Sequence, residues 1–338
     1  MTDTRGYAVV PGLLAAGRLE LAQTSWFARH LRDPRFRRQT SAARAGLTLP
    51  ALPRQPRRPG EIWAVSMVKD EADVIEASID HLLGQGVHHV LVADNLSSDG
   101  TLEILERLAK NDPRIHVARD REPAYYQSEK MTLLARAAAR AGADWIVPFD
   151  ADEFWFARGQ TLQQFFAELT GRRPMVGLVL ARFHHMVPTE AHPARLREAS
   201  FVIDASPARP GKAAFRAHRL AVVAFGNHGA ARVGTREHGL HIAHAIYRGP
   251  AQIERKVRNG VAAVRLTDPA ANIAPHWRMA EALDAAAIQD VWATISAGQP
   301  DDRIGFRAYG PMVTATPLTW PTWDPEDALP WREPRNFS

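Results

Sequence analysis

The sequence predicts an α/β fold in which helices flank both sides of a mostly parallel central sheet. Short apolar runs alternate with helical stretches between residues 61 and 149, in the order βαβαβαβ. The runs are apolar on both faces, which is typical of parallel strands that helices cover from two sides. The chain has 338 residues, 46% of them hydrophobic, and is therefore long enough to bury such a core.

Apolar periodicity places the individual elements. Strands are predicted at Ile62–Val68, His89–Ala93, Ile115–Val117, Trp145–Phe149 and Val176–Phe183. Helices are predicted at Glu71–Leu83, Thr101–Asn111, Ser128–Ala141, Leu162–Leu169 and Gln252–Arg265. Residues 200–244 contain short β-like runs broken by Gly and Pro, and the tail from Thr314 onward is predicted to be irregular.

Charge and composition restrict the partners and the compartment. The formal net charge is +5 and the isoelectric point is about 9.8, which favours anionic partners without choosing among nucleic acid, membrane and phosphorylated small molecules. The absence of cysteine excludes thiolate metal sites and cysteine nucleophiles. No apolar run nears the roughly 18 residues of a membrane-spanning helix. We expect a cytoplasmic protein, with attachment to the inner membrane face through basic N-terminal helices as the alternative.

Three acidic clusters follow three of the predicted strands. They are Lys69, Asp70 and Glu71 after the first strand, Asp94, Asn95 and Asp99 after the second, and Asp150, Asp152 and Glu153 after the fourth. The carboxyl ends of parallel strands lie at one edge of the sheet, where ligands bind in such folds. Because gathered carboxylates ionise poorly unless cations or hydrogen-bond donors compensate them, this edge is predicted to bind a metal or a strongly donating ligand.

The most informative segment is the Asp-x-Asp triplet formed by Asp150 and Asp152, which comes directly after an apolar strand. Two carboxylates at this spacing reach one ligand if the alternation of the strand breaks there. Such a pair suits a hard cation with oxygen ligands, such as Mg²⁺ or Mn²⁺, that also bridges a diphosphate. The alternative, a solvated acidic turn, leaves the other two clusters unexplained.

On these residues the sequence resembles the family 2 glycosyltransferases, with the nucleotide-binding half of the GT-A fold. The resemblance rests on the segments 65–72, 92–101, 127–130 and 150–152, and it covers residues 61–185. Residues 241–260 more loosely resemble the closing segment of a bacterial subgroup, whose members include enzymes of polysaccharide biosynthesis. The resemblance implies sugar transfer from a nucleotide-diphosphate donor to an acceptor hydroxyl, with Mn²⁺ or Mg²⁺ as cofactor. The Gln-x-x-Arg-Trp signature of processive synthases is not found, which favours non-processive transfer.

The resemblance also implies roles for individual residues. It assigns the nucleotide pocket to Val68, Lys69, Asp70, Glu71, Asp94, Asn95, Asp99, Lys130, Asp150 and Ala151. It assigns the metal to Asp150, Asp152 and His244, while Arg248 and Lys256 are candidates to neutralise the diphosphate. Asp94 is implied to recognise the nucleobase. Asn95 departs from the second acidic residue that many family members have at this point.

The catalytic base is the least determined part of the predicted site. An inverting transferase needs a carboxylate within hydrogen-bond reach of the acceptor hydroxyl, on the acceptor side of the metal motif. Glu190 and Asp204 are the main candidates by position, and Glu198 and Glu237 also qualify. A retaining enzyme would not need such a base, so the stereochemistry stays open.

The resemblance divides the chain into three parts. Residues 1–60 form a basic helical extension and a Pro/Arg-rich linker, residues 61–265 the catalytic domain, and residues 266–338 a helix and a Trp/Pro-rich tail. Within the catalytic domain, residues 61–155 form the nucleotide-binding half and residues 156–265 the acceptor half. The basic character and the tryptophan-rich tail favour a carbohydrate or glycolipid acceptor, and no nucleic acid partner is predicted.

Two rival functions remain at the level of sequence. A nucleotidyltransferase that makes nucleotide sugars shares the architecture and the acidic metal site, but it carries an early Gly-rich loop with Arg and Lys, which does not follow the first strand here. A non-catalytic binder of nucleic acid or of another anionic ligand would use the basic N-terminal region. Such a binder has no need for three carboxylate clusters at one sheet edge.

Overall fold

The computed structural model describes residues 32–232, 234–267 and 280–325, so most of the predicted N-terminal helical region and the end of the tail lie outside the described residues. The helices are α1 Pro34–Gly46, α2 Ile75–Gly84, α3 Thr101–Asn111, α4 Gln127–Ala141, α5 Leu162–Arg172, α6 Pro250–Thr267 and α7 Ala285–Ser296. The strands are β1 Leu47–Thr48, β2 Ile62–Val68, β3 His89–Asp94, β4 Ile115–Asp120, β5 Trp145–Pro148, β6 Glu153–Ala157, β7 Val176–Pro188, β8 Phe201–Asp204, β9 Ala208–Arg216, β10 Val222–Val223, β11 Ala230–Ala231, β12 Thr235–His244 and β13 Met312–Ala315.

One large sheet organises the described residues, in the order β1-β4-β3-β2-β5-β9-β7-β12-β6, with β8 pairing to β7 and β13 to β8. Strands β4, β3, β2 and β5 are parallel, as the alternating sequence pattern predicts. Strand β12 is parallel to β7, while β9 pairs antiparallel with both β5 and β7. The antiparallel strand β9 therefore joins two parallel parts of the sheet.

Helices cover both faces of the sheet, which explains why its strands are apolar on both sides. Along β2, Ile62 and Ala64 join the apolar cluster that contains residues of α2, α3 and α5. The alternate residues Trp63 and Val65 join the second cluster, which contains residues of α4. This is the two-sided arrangement that a buried parallel strand requires.

The elements that differ from the sequence prediction include α2, β13 and β4. Residues 71–74 form a turn before α2, in which the amides of Val74 and Ile75 donate to the carbonyl of Glu71. Thr314 lies in β13, which pairs with β8, so the tail is not irregular at its start. Strand β4 continues to Asp120, because Asp120 pairs with Leu47 of the neighbouring strand β1. The last two differences reflect long-range strand pairing that local periodicity does not reveal.

Within the part of the chain that the structure covers, no helix combines the length and the apolar character needed to cross a membrane.

Candidate functional site

A cavity opens where β2, β3 and β5 end, between the sheet edge and helix α6. The sheet side is formed by residues 67–71, Asn95, Tyr125, Gln127 and residues 150–152. The helix side is formed by Gln252, Arg255, Lys256, Asn259, Gly260 and Ala263. These positions recur three or four residues apart and therefore share one face of α6. The structure thus brings residues of all three clusters to one cavity, the second cluster through Asn95, and places a polar, basic helix opposite them.

The Asp-x-Asp triplet lies in a tight turn between β5 and β6, and the alternation of the strand breaks there. The Glu153 amide donates to the Asp150 carbonyl at 3.0 Å, and the Asp150 amide donates to Glu153 Oε2 at 3.1 Å. Because of this turn, Asp150 and Asp152 both line the cavity. The Asp150 side chain is 44% exposed, whereas that of Asp152 is buried.

Asp152 is surrounded by positive groups. Its carboxylate pairs with Lys256 Nζ, lies 3.5 Å from His244 Nε2 and 3.9 Å from an Arg248 nitrogen. Burial alone would raise the pKa of Asp152, but Lys256, His244 and Arg248 together hold it well below its usual range. Asp152 is therefore an ionised carboxylate at the inner end of the cavity.

Asp152, Glu153 and His244 form a group whose ligand atoms all lie within 4.8 Å of one another. Strand pairing creates this group, since His244 on β12 is directly opposite Glu153 on β6. His244 Nδ1 is buried and has no hydrogen-bond partner. Carboxylate oxygens with one imidazole nitrogen suit Mn²⁺ and related divalent cations, so these residues fit a metal centre. Asp150, also predicted as a ligand, lies outside this group and contacts a lysine instead.

That lysine is Lys212 on β9, which the sequence analysis did not single out. Its buried ammonium lies 2.6 Å from Asp150 Oδ2 and 2.8 Å from Glu153 Oε1. Burial lowers the pKa of Lys212, but the two carboxylates outweigh this effect and raise it. Burial also raises the pKa of Glu153, to about 8, although Lys212 opposes that shift. Lys212 is thus an internal cation that fixes the acidic turn.

At the outer end of the cavity, Asn95 and Asp94 have different positions. Asn95 lines the cavity, whereas Asp94 does not and accepts a hydrogen bond from the Ser97 amide at 3.3 Å. The Asn95 Nδ2 donates to Asp120 Oδ2 at 2.9 Å and to the Glu122 carbonyl at 2.8 Å. Asn95, and not Asp94, is therefore the residue of this pair that reaches the cavity, because the backbone turns after β3.

Lys130 supports this wall from behind and does not line the cavity. Its side chain is 1% exposed, and its ammonium lies 2.8 Å from Asp120 Oδ2 and 2.6 Å from the Glu122 carbonyl. The same two residues accept from Asn95 Nδ2. Lys130 therefore orients the Asn95 amide, and direct contact with a nucleotide, the predicted role, does not fit its burial.

The loop after β2 is held to the loop after β3 by side-chain acceptors. Asp70 has a left-handed backbone with φ of 55°, and its carboxylate accepts from the Ser98 amide at 2.6 Å and from Asn259 Nδ2 at 2.6 Å. Asp99 accepts from the Ala72 amide at 3.0 Å. Asp99, which the resemblance assigns to the nucleotide pocket, does not line the cavity and contacts this loop instead. These bonds keep the outer walls of the cavity and helix α6 together.

Arg248 lies behind the acidic wall, and the diphosphate role predicted for it does not fit its contacts. Its guanidinium donates to Asp73 Oδ2 at 2.7 Å, to Glu71 Oε2 at 2.6 Å and to the Ala245 carbonyl at 3.1 Å. The side chain is 1% exposed. Arg255, one turn into α6, lines the cavity with a side chain that is 25% exposed. Its spacing of three residues from Gln252 and four from Asn259, which share its helix face, is the sequence signal that would have identified it.

Substitution of Arg248 is expected to affect mainly stability, and substitution of Arg255 mainly ligand binding. Arg248→Met should lower the free energy of unfolding by about 3 kcal/mol, since it leaves buried carboxylates without their partner. Arg255→Met should change stability by less than about 1 kcal/mol, as expected for a partly exposed ion pair, and should weaken nucleoside diphosphate binding. Urea unfolding and calorimetric titration of each variant test this contrast. Equal destabilisation by the two substitutions would contradict it.

The base candidates do not lie at the cavity. Glu190 is exposed on the β7–β8 loop, and Glu198 is exposed beside Arg195. Asp204 is fully buried, and its oxygens accept from the Ser206 amide at 2.9 Å and the Tyr309 amide at 2.5 Å. Asp204 is therefore a loop anchor, because both oxygens are already engaged. Its predicted role as base has no support from the geometry.

Glu237, the fourth base candidate, also does not line the cavity. Its side chain is buried, and it pairs with Arg173 at 2.6 Å. Glu71, in contrast, lines the cavity, and burial raises its pKa to about 6 against the opposing effect of Arg248.

The fold and the acidic cavity define a class, the α/β enzymes that bind ligands at the carboxyl edge of a parallel sheet. The model of glycosyl transferase family 2 matches residues 64–236. The chain belongs to this family and is a glycosyltransferase.

Two of the similar solved structures have low sequence identity to this chain. The structure of S. aureus TarS 1-349, also solved in complex with UDP, has 12% identity and a TM-score of 0.36, with 75% of this chain and 98% of that chain covered. The mannosyltransferase PcManGT from Pyrobaculum calidifontis, in complex with GDP-Man and Mn²⁺, has 17% identity and a TM-score of 0.36, with 83% and 92% covered. No curated protein sequence matches this chain.

Proposed function

We propose that this chain transfers a sugar from a nucleoside-diphosphate donor to an acceptor hydroxyl, with Mn²⁺ or Mg²⁺ at Asp152. The observation that supports this most is the cavity itself, in which a buried, ionised Asp152 lies beside Glu153 and His244 and faces a basic helix. When bound, the cation offsets the negative charge on the departing diphosphate. Lys256 and Arg255 add positive charge on the opposite wall, where the diphosphate lies.

The protein groups have separate tasks in this proposal. Residues 68–71 and Ala151 line the nucleotide, Asp150 holds the ribose or a cation-bound water, and Asp152 with His244 ligates the cation. Lys212 keeps the Asp150 and Glu153 carboxylates in place. The transfer is non-processive, and the acceptor is a carbohydrate or a glycolipid that the chain meets in the cytoplasm or at the inner membrane face.

Asn95 determines which nucleobases fit. Since its Nδ2 is committed to Asp120 and Glu122, the Oδ1 atom is the group that it presents to the cavity. An acceptor at this point matches a base with a ring N–H, as in uracil, thymine and guanine, and leaves the ring nitrogen of cytosine or adenine facing another acceptor.

We therefore expect UDP, TDP or GDP to bind at least about tenfold more tightly than CDP and ADP, and Asn95→Leu to remove most of this preference. Calorimetric titration of the five nucleotides with Mn²⁺ measures it. Asn111→Leu, on the distant end of α3, is the matched control. Preferential binding of CDP or ADP would contradict the assignment.

Release of nucleoside diphosphate from sugar nucleotides tests the function. The chain is incubated with UDP-, GDP-, TDP- and CDP-linked sugars, with Mn²⁺ or with EDTA. We expect slow release from one donor class, suppressed by EDTA. Release of pyrophosphate from a nucleoside triphosphate and a sugar phosphate would instead indicate a nucleotidyltransferase, and no turnover or binding with any donor would reject an active transferase.

A further inference from the structure

We propose that the loop 224–229 forms the acceptor subsite, and that Phe225 binds the apolar face of a carbohydrate acceptor. This inference rests on the proposed function and adds to it the surface against which the acceptor lies. The loop follows β10, and nothing in the donor cavity accounts for its exposed aromatic ring.

The loop is tied directly to two residues of the donor cavity. Asn227 Nδ2 donates to Asp150 Oδ1 at 3.2 Å, and the Gly226 amide donates to Gln127 Oε1 at 2.7 Å. Both acceptors line the cavity. The loop therefore adjoins the acidic turn, where the sugar and the diphosphate of the donor meet.

Backbone geometry and hydrogen bonds fix the conformation of the loop. Gly226 and Asn227 have φ of 69° and 57°, a left-handed pair, and the Ala224 amide closes the loop on the Gly229 carbonyl at 2.8 Å. Left-handed backbone is costly for most side chains, and residues held in it cluster at functional sites. Asn227 is fully buried, with its Oδ1 unpartnered, so its amide serves the contact with Asp150.

Phe225 points its ring outward from this held loop. The side chain is 45% exposed, and its ring meets Tyr125 edge to face, with centroids 5.9 Å apart. Tyr125 lines the donor cavity and Phe225 does not. A nucleotide in the cavity therefore leaves the outer face of Phe225 available to a second substrate.

The chemistry of the loop favours a neutral sugar ring as that substrate. Loop 224–229 contains Ala, Phe, Gly, Asn, His and Gly, without an acidic residue, lysine or arginine. An aromatic face beside hydrogen-bonding groups is the surface that the C–H face of a sugar ring needs. A ring stacked on Phe225 brings its hydroxyls toward Asp150, and thus toward the donor.

The test compares Phe225→Ala and Phe225→Trp with Leu220→Ala, a control at another exposed apolar side chain, which is 55% exposed. For each variant, hydrolysis of the donor by water and transfer to a panel of methyl glycosides are measured side by side. We expect Phe225→Ala to raise the acceptor KM at least about tenfold, the loss of one stacking contact, while donor KM and hydrolysis stay within about twofold. Phe225→Trp and Leu220→Ala should retain transfer.

The outcomes separate this inference from the proposed function. If wild type hydrolyses a donor and Phe225→Ala keeps the wild-type acceptor KM, the subsite is wrong and the function stands. If Phe225→Ala impairs hydrolysis as strongly as transfer, the residue belongs to the donor site or the fold. Donor hydrolysis by wild type without use of any glycoside rejects a carbohydrate acceptor. No binding or hydrolysis of any donor rejects the proposed function itself.

Discussion

Asp152→Asn is expected to reduce metal-dependent turnover by about 100-fold or more. The substitution keeps the shape of the side chain but removes the charge at the centre of the group formed with Glu153 and His244. Loss of a single group that stabilises transition-state charge costs enzymes about 10²–10³ in kcat. Steady-state release of nucleoside diphosphate, measured across a Mn²⁺ series, gives both the loss and the change in cation requirement.

The same substitution has a pH signature in stability. The pKa of Asp152 is lowered in the folded chain, so its ionised form contributes stability that is present above the usual value near 3.8 and lost as the pH falls through the folded value. Asp152→Asn should therefore be less stable than wild type at neutral pH, with a difference that shrinks only in strong acid. Asp112→Asn, at a surface ion pair, is the control. A variant with wild-type turnover and unaltered Mn²⁺ dependence would contradict the metal assignment.

Lys212→Met is expected to lower the free energy of unfolding by about 3–5 kcal/mol, the usual result of removing one partner from a buried ion pair. The ammonium lies within 2.8 Å of both Asp150 and Glu153, and the lysine side chain is 3% exposed. Lys110→Met, at an exposed position on α3, should be nearly neutral. Urea unfolding monitored by tryptophan fluorescence measures both variants.

The pH dependence of Lys212→Met distinguishes electrostatics from lost packing. Burial raises the pKa of Glu153 to about 8, and Lys212 is the main influence that lowers it. Without the lysine the folded pKa rises further, so ionisation of Glu153 above its usual pKa opposes folding more strongly. The stability deficit of the variant relative to wild type should therefore be constant from pH 5 to about 7 and should grow as the pH rises through about 8 to 9. A deficit that is the same across this range would indicate a packing effect only.

Local patterns predicted the nucleotide-binding half well. The strand before the Asp-x-Asp triplet ends within one residue of its predicted end, and the helix that lines the cavity differs from its prediction by two residues at each end. The reason is physical: buried parallel strands and amphipathic helices have periods that a sequence displays directly. The three clusters then lie close together because the carboxyl ends of parallel strands are all at the same edge of the sheet.

The site residues that the sequence pattern does not identify depend on contacts between segments far apart in the chain. Lys212 on the antiparallel strand β9 contacts Asp150, but β9 lies in a stretch where Gly and Pro interrupt the periodicity that would predict a strand. Asn227 contacts the same carboxylate from a left-handed turn. Arg248 and Lys130 were identified as charged residues near the right motifs, but sequence does not tell an exposed cation from a buried one. Their burial behind the cavity wall gives them structural roles.

The most direct test of the account is a calorimetric titration of UDP or GDP and Mn²⁺ against the wild-type chain, in both orders of addition. A cation that bridges Asp152 and the diphosphate must strengthen nucleotide binding, and the nucleotide must strengthen cation binding by the same factor. We predict a reciprocal factor of about tenfold or more, lost in Asp152→Asn. Nucleotide affinity that is identical with and without Mn²⁺ would contradict a metal-assisted donor site at Asp152.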